Sequence, residues 1–207
     1  MTTPPACPRC PALLRPPGLM SSEWECAVHG AVAPYLPVAR ASGEGVRQLA
    51  ARSAVPVWSP LPLLPGWTLA GLARAGAERD GVRATAVAFG GPSPLGGPAD
   101  LVLVAEAPGT GLGARLAGTD GPDAADAVQG APDAKVLAAG HLTPLWRVAG
   151  AADRAAFVGE ALGVWLWAVL WPPAAELVLL EHVELHDLRH EVHAGLDLPI
   201  GAPTTRL

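Results

Sequence analysis

Three cysteines and a histidine in the first thirty residues constrain this chain more than any other feature. The stretch CPRC carries Cys7 and Cys10, and CAVHG carries Cys26 and His29, so the pattern is C-x2-C-x15-C-x2-H. A C-x2-C pair places two thiolates on one tight turn, and Cys26-Ala-Val-His29 repeats that geometry with an imidazole as fourth ligand. Four soft or borderline ligands in this spacing fit tetrahedral zinc in a ribbon of two knuckles on β-hairpins. Pro8 pre-sets φ in the first knuckle, and Gly30 accepts a positive φ after the second. Four protein ligands leave no open position for water, so the expected zinc is structural, although iron takes the same thiolate-rich tetrahedron. A unit below about 40 residues usually needs such a metal to fold.

These are all the cysteines of the 207-residue chain. An odd count, with no basic or apolar leader in MTTPPACPRC, argues for reduced thiols and a cytoplasmic setting. A net charge of −5 disfavours nucleic acid and anionic membranes, both of which need a basic patch. GVWLWAVLW, the longest apolar run, is far shorter than the roughly 20 residues of a membrane helix and reads as a buried strand.

The expected organisation is a zinc ribbon over 1–34, a linker with a short helix over 35–54, and an α+β domain over 55–207. In the linker, Val46, Leu49 and Ala50 recur at helical spacing. VPVWSPLPLLPGW holds four prolines, which exclude a long helix and a central strand and leave an extended segment wedging Trp58 and Trp67 into the core. Short β-like runs follow at 68–75, 83–89 and 101–105, then at 143–148, 156–159 and 164–171, with a polar connection over 119–133. Alternating βαβ units are absent, so the fold class is α+β, a mainly antiparallel sheet with few helices.

The stretches CPRC, WECAVHG, VPVW, LPGW, RATAVAFGGPSPLGG, LVLVAEAPGTGLGARLAG, AKVLAAGHLTPLW, GVWLWAVLWP and LHDLR resemble an actinobacterial family described as a domain of unknown function. The resemblance covers nearly the whole length. It implies a common fold and a shared ribbon, and supplies no activity.

Two further motifs bear on chemistry. Gly109, Gly111 and Gly113 follow the apolar run 101–104 and resemble the acyl-coenzyme A loop of N-acetyltransferases, whose backbone amides hold a pyrophosphate. The Gln or Arg expected two residues before the first glycine is replaced by Ala107. Glycine and proline together make up 47 residues, a sign of GC-rich coding, and that bias makes an ordinary glycine-rich turn the simpler reading of the loop. Near the end, His182, His186 and His190 recur every four residues with His193 beyond, which on a helix could share a metal and on a strand would form a solvated face.

The sequence therefore points to a non-enzymatic zinc-ribbon protein that binds a ligand, a protein partner or a second copy of itself. The alternative is an acyltransferase-like enzyme holding a phosphate-bearing cofactor at 109–116.

Overall fold

The computed structural model describes residues 4–19, 21–38, 40–77, 81–119, 121, 124–191 and 197–207. Its strands are β1 (Glu25–Cys26), β2 (Gly30–Ala31), β3 (Tyr35–Pro37), β4 (Trp58–Pro60), β5 (Thr68–Ala77), β6 (Gly81–Pro92), β7 (Pro98–Glu106), β8 (Ala134–Ala138), β9 (His141–Val148), β10 (Ala155–Ala161), β11 (Val164–Trp171) and β12 (Glu184–Asp187). The helices are α1 (Gly43–Arg52) and α2 (Leu112–Ala117), with 3-10 turns at Ala125–Ala127 and Pro173–Leu180. The protein is mostly β-sheet, predominantly antiparallel, with the cysteine cluster at its N-terminal end.

Ten strands form one sheet in the order β3-β5-β6-β7-β11-β10-β9-β8-β12-β4. Every pairing is antiparallel except β8 with β12. Edge strand β4 also contacts β6 and β7, so the sheet curls and closes its inner face on itself. The two faces differ in residue size. Leu69, Leu72, Val87, Phe89, Leu101, Leu103, Leu166 and Leu170 fill the inner core with Trp58. Ala73, Ala75, Ala84, Ala86 and Ala88 form much of the outer face.

Small side chains let other segments approach that outer face closely. The C-terminal chain bonds along β5, with Leu69 N donating to Pro199 O at 2.8 Å and Thr204 N to Ala70 O at 3.0 Å. At Gly71 a Cβ would stand 2.9 Å from Thr204 and 3.0 Å from Leu207. Glycine is therefore required by contact at position 71.

Helix α1 begins at Ser42, whose Oγ accepts from Gly45 N at 3.0 Å, and it buries Val46, Leu49 and Ala50. An N-cap hydroxyl of this kind satisfies one of the first-turn amides. The stretch expected as a linker thus supplies its helix, and it also supplies β3, which pairs with β5. The six expected runs in the body are strands β5, β6, β7, β9, β10 and β11, and Trp58 and Trp67 are buried as expected. Strand β8 and the 3-10 segment Pro173–Leu180 were not anticipated. Hairpin β8–β9 turns through Ala139 (φ 48°) and Gly140 (φ 79°), and β10–β11 through Leu162 (φ 55°) and Gly163 (φ 77°). Both are two-residue turns with positive φ at each position, the twist that matches paired strands.

Candidate metal centre

The N-terminal unit has little regular structure to hold its knuckles. Strands β1 and β2 are two residues each and pair around Ala27, Val28 and His29. The chain folds back through Arg15 and Glu25, which exchange backbone bonds of 2.9 and 3.1 Å, and through Cys7 N donating to Ala12 O at 2.8 Å. Gly30 adopts φ +68° with open space where a Cβ would lie, which carries the chain out of the second knuckle. The buried cluster of the unit consists of Cys7, Leu14 and Cys26, with Cys10, Ala12, Trp24 and Val32 packed against it.

This geometry brings Cys7, Cys10, Cys26 and His29 together, each offering one ligand atom, all within 4.8 Å of one another. The resolved edges are 3.5 Å between Cys7 Sγ and His29 Nδ1, 3.6 Å between Cys26 Sγ and His29 Nδ1, and 3.7 Å between Cys10 Sγ and Cys26 Sγ. Tetrahedral metal bonds of about 2.3 Å to sulfur and ~2.0–2.1 Å to nitrogen require edges of roughly 3.8 and 3.5 Å. The donor set and its spacing fit a tetrahedral cation. All three cysteines are free thiols.

Backbone amides are aimed at the sulfurs. Those of Val28 and His29 draw the Cys26 thiol down to about 6. Burial pushes Cys7 up to about 11, against the amides of Arg9 and Cys10. Such outer contacts orient ligands and favour the thiolate.

Two arginines fasten this unit to the sheet. Arg9 donates to Gly109 O and, at 3.3 Å, to Thr110 O. From the other side Arg115 on α2 donates to Cys7 O at 2.7 Å and lies 4.8 Å over the Tyr35 ring. Charge-assisted bonds of this sort contribute about 1.5–3 kcal/mol each, and a cation–π contact ~0.5–1. Arg115→Ala should therefore loosen the unit, read as at least tenfold faster amide exchange at Ala6 and Tyr35, with Val102 and Val104 in the sheet unchanged. Equal exchange at all four amides would show that the arginine anchors nothing.

The glycine loop lies directly beneath this attachment. Gly109 (φ +79°) and Gly111 (φ +84°) shape the turn into α2, and at Gly113 a Cβ would stand 2.2 Å from the indole of Trp167. The amides a phosphate would need are engaged from within. Glu106, at the end of β7, is fully buried, accepts from Leu112 N at 2.7 Å, and also draws the amides of Gly111 and Gly113. Its Oε1 has no hydrogen-bond partner. Sequence reasoning passed over Glu106, although a glutamate ending the run LVLVAE was a visible signal. Arg9 and Arg115 carried no signal, because their partners are backbone carbonyls about a hundred residues away.

Burial holds the Glu106 carboxyl at about 7, above its ordinary 4.5, despite the opposing amides of Gly113, Leu112 and Gly111. The folded state thus binds the extra proton between those two values. Its stabilising contribution is complete below about pH 4.5, declines as pH rises to about 7, and is then lost. Glu106→Gln, neutral throughout, should abolish that slope and be more stable than wild type by roughly 2–4 kcal/mol at about pH 8. Urea denaturation of both proteins across this range checks it, and parallel pH profiles would contradict it.

The C-terminal histidines behave differently from the cysteine cluster. His186 lies on β12 between Glu184, at 3.3 Å, and Glu191, at 2.6 Å. His190 is 3.9 Å from Asp187, and His182 borders a separate cavity. Among the described residues only Cys7, Cys10, Cys26 and His29 form a group of metal-ligating spacing; His193 lies outside the described residues.

A family model described as "Family of unknown function (DUF6758)" matches residues 1–207. The chain belongs to this family. No curated protein and no solved structure matches it. The DUF6758 description assigns neither a metal nor an activity. Among the described residues of this DUF6758 chain, no helix is long and apolar enough to cross a membrane.

Proposed function

We propose that Cys7, Cys10, Cys26 and His29 hold one structural zinc ion in a ribbon, and that the protein works by binding rather than by catalysis. The observation that carries the first part is the set of 3.5–3.7 Å edges between four ligand atoms. Zinc held this way has its coordination filled and supplies folding energy rather than a reactive water. The residues do the rest: the cysteines and His29 gather the two knuckles, while Arg9 and Arg115 hold the ribbon over the mouth of the glycine loop. Three thiols remain reduced most readily in the cytoplasm, which is the proposed compartment.

Support for a binding role comes from the exposed surface of the ribbon. Leu13, Leu19 and Val28 are 65%, 106% and 74% exposed, apolar side chains that a protein partner or a second copy would cover. An acyl-cofactor role would need the amides that Glu106 engages, so the geometry favours the binding role.

Metal analysis of purified protein by mass spectrometry, beside Cys26→Ser and a His182→Ala/His186→Ala pair, tests the proposal. The expected result is about one zinc per chain, lost in Cys26→Ser and kept in the histidine pair. Protein purified without metal, or metal lost only with the histidines, would overturn it.

A further inference from the structure

Glu106 sits where the sheet, the glycine loop and the ribbon meet. It ends β7 on the outer face, in a row across the sheet that runs Tyr35, Ala75, Ala84, Glu106, Trp165 and Glu160. One carboxyl oxygen accepts from Leu112 N at 2.7 Å, while the other, Oε1, is buried with no hydrogen-bond partner. A buried oxygen left without a donor is costly, and more so when the group is charged.

The cations on this side are engaged elsewhere. Arg9 donates to Gly109 O and Thr110 O, and Arg115 on α2 donates to Cys7 O. Arg154 donates to Leu116 O at the far end of α2 and pairs with Asp153. Arg83, next to Ala84 on β6, points to the opposite face of its strand. On β3 the Tyr35 hydroxyl stays neutral, pushed up to about 12 by burial, and Glu160 at the other end of the row is exposed on β10. Relief for an ionised Glu106 therefore has to come from water, and the glycine loop stands over it.

The segment that covers Glu106 also carries both arginine links to the ribbon. Gly111, Leu112 and Gly113 turn their amides toward the carboxyl, directly after the two carbonyls that hold Arg9 and one turn before Arg115. Gly109 and Gly111 have φ of 79° and 84°, and glycine at such positions lets a loop change course.

We propose that Glu106 is a proton-operated latch on the ribbon: protonated, it keeps the glycine loop closed with Arg9 and Arg115 seated; ionised, it opens the loop to water and frees the ribbon from the sheet. The latch rests on residues 4–34 acting as one ribbon, as proposed above, and not on which metal folds them. Its direction follows from burial, which holds the carboxyl at about 7 in the closed arrangement against 4.5 once wetted. With those two values the open form gains about tenfold over the closed one between about pH 6 and pH 8, and little beyond.

Amide exchange of the zinc-loaded full chain, corrected for its intrinsic pH dependence, tests this at Ala6 and Tyr35, whose mutual backbone bonds of 3.1 and 2.8 Å join the ribbon to β3. Their protection should fall about tenfold between about pH 6 and pH 8 and then level off, while Val102 and Val104 in β7 keep theirs. Glu106→Gln should hold the lower-pH protection throughout. If that variant folds poorly, the wild-type chain decides alone: protection at Ala6 and Tyr35 must stop falling where the Glu106 carboxyl carbon titrates by NMR. Glu25 and Val32, inside the ribbon, are read in the same samples. Their exposure at every pH would sink the ribbon reading and the latch with it. Intact Glu25 and Val32, with protection at Ala6 and Tyr35 that is independent of pH or falls equally in Glu106→Gln, would overturn the latch alone.

Discussion

Cys26→Ser is expected to unfold residues 4–34 while the ten-stranded sheet persists. Among its described residues the proposed ribbon has strands of two residues and, besides its cysteines, Leu14 as its buried aliphatic side chain. A buried leucine contributes about 2 kcal/mol, whereas ordering each residue costs ~1–2 kcal/mol of backbone entropy. The proposed metal would close most of that gap, since structural zinc sites contribute on the order of 10–16 kcal/mol at neutral pH. Hydrogen exchange by mass spectrometry should show protection lost at Glu25 and Val32, whose amides donate to Arg15 O and Trp24 O, but retained across β6, β7 and β11. Because Arg9 and Arg115 then lose their partners, the sheet itself should melt a few degrees lower. Full protection of Glu25 and Val32 in Cys26→Ser would mean that the ribbon folds without the Cys26 thiolate.

Gly113→Ala should be among the most damaging single-methyl changes in the chain. A Cβ at this position would meet three atoms of the Trp167 ring at 2.2–2.4 Å, and Trp167 is itself buried against the outer face of the sheet. Relief requires moving α2, which carries Arg115 and the amides that cap Glu106. Overpacking of this severity costs about 3 kcal/mol, or roughly 6–12 °C in Tm for a chain of this size. Gly109→Ala provides the contrast: its φ of +79° is strained for alanine, but the position is open, so the cost is ~1–2 kcal/mol. Thermal denaturation of both variants distinguishes the roles. A larger loss at Gly109 than at Gly113 would contradict a packing role for the third glycine.

The legible parts of this chain were those set by local chemistry. Ligand spacing placed Cys7, Cys10, Cys26 and His29, and alternating or unbroken apolar runs placed the central strands, because both signals are written within about ten residues. Strand β8 was hidden because its hairpin turns on Ala139-Gly140, where alanine gives no turn signal, and because its other partner, β12, lies some fifty residues on. Strand β3 was obscured by Pro37, which an edge strand tolerates and a linker equally allows. The glycine loop misdirected for a different reason. The pattern Gly109, Gly111, Gly113 reads as a phosphate cradle, but what fills the amides is Glu106, and only the fold shows that its carboxylate turns inward. Glycine looked like coding bias, yet at Gly71 the close passage of Thr204 and Leu207 gives it a physical cause.

X-ray absorption at the metal edge of the purified protein reads whether four side chains from two knuckles share one tetrahedral ion. The expected spectrum has a zinc edge with about three sulfurs at ~2.3 Å and one nitrogen at ~2.0–2.1 Å, with loss of one sulfur or of the metal in Cys10→Ser. An iron edge would keep the site and change the ion. A shell of oxygen and nitrogen without sulfur, or zinc spectra unchanged by Cys10→Ser, would contradict the claim.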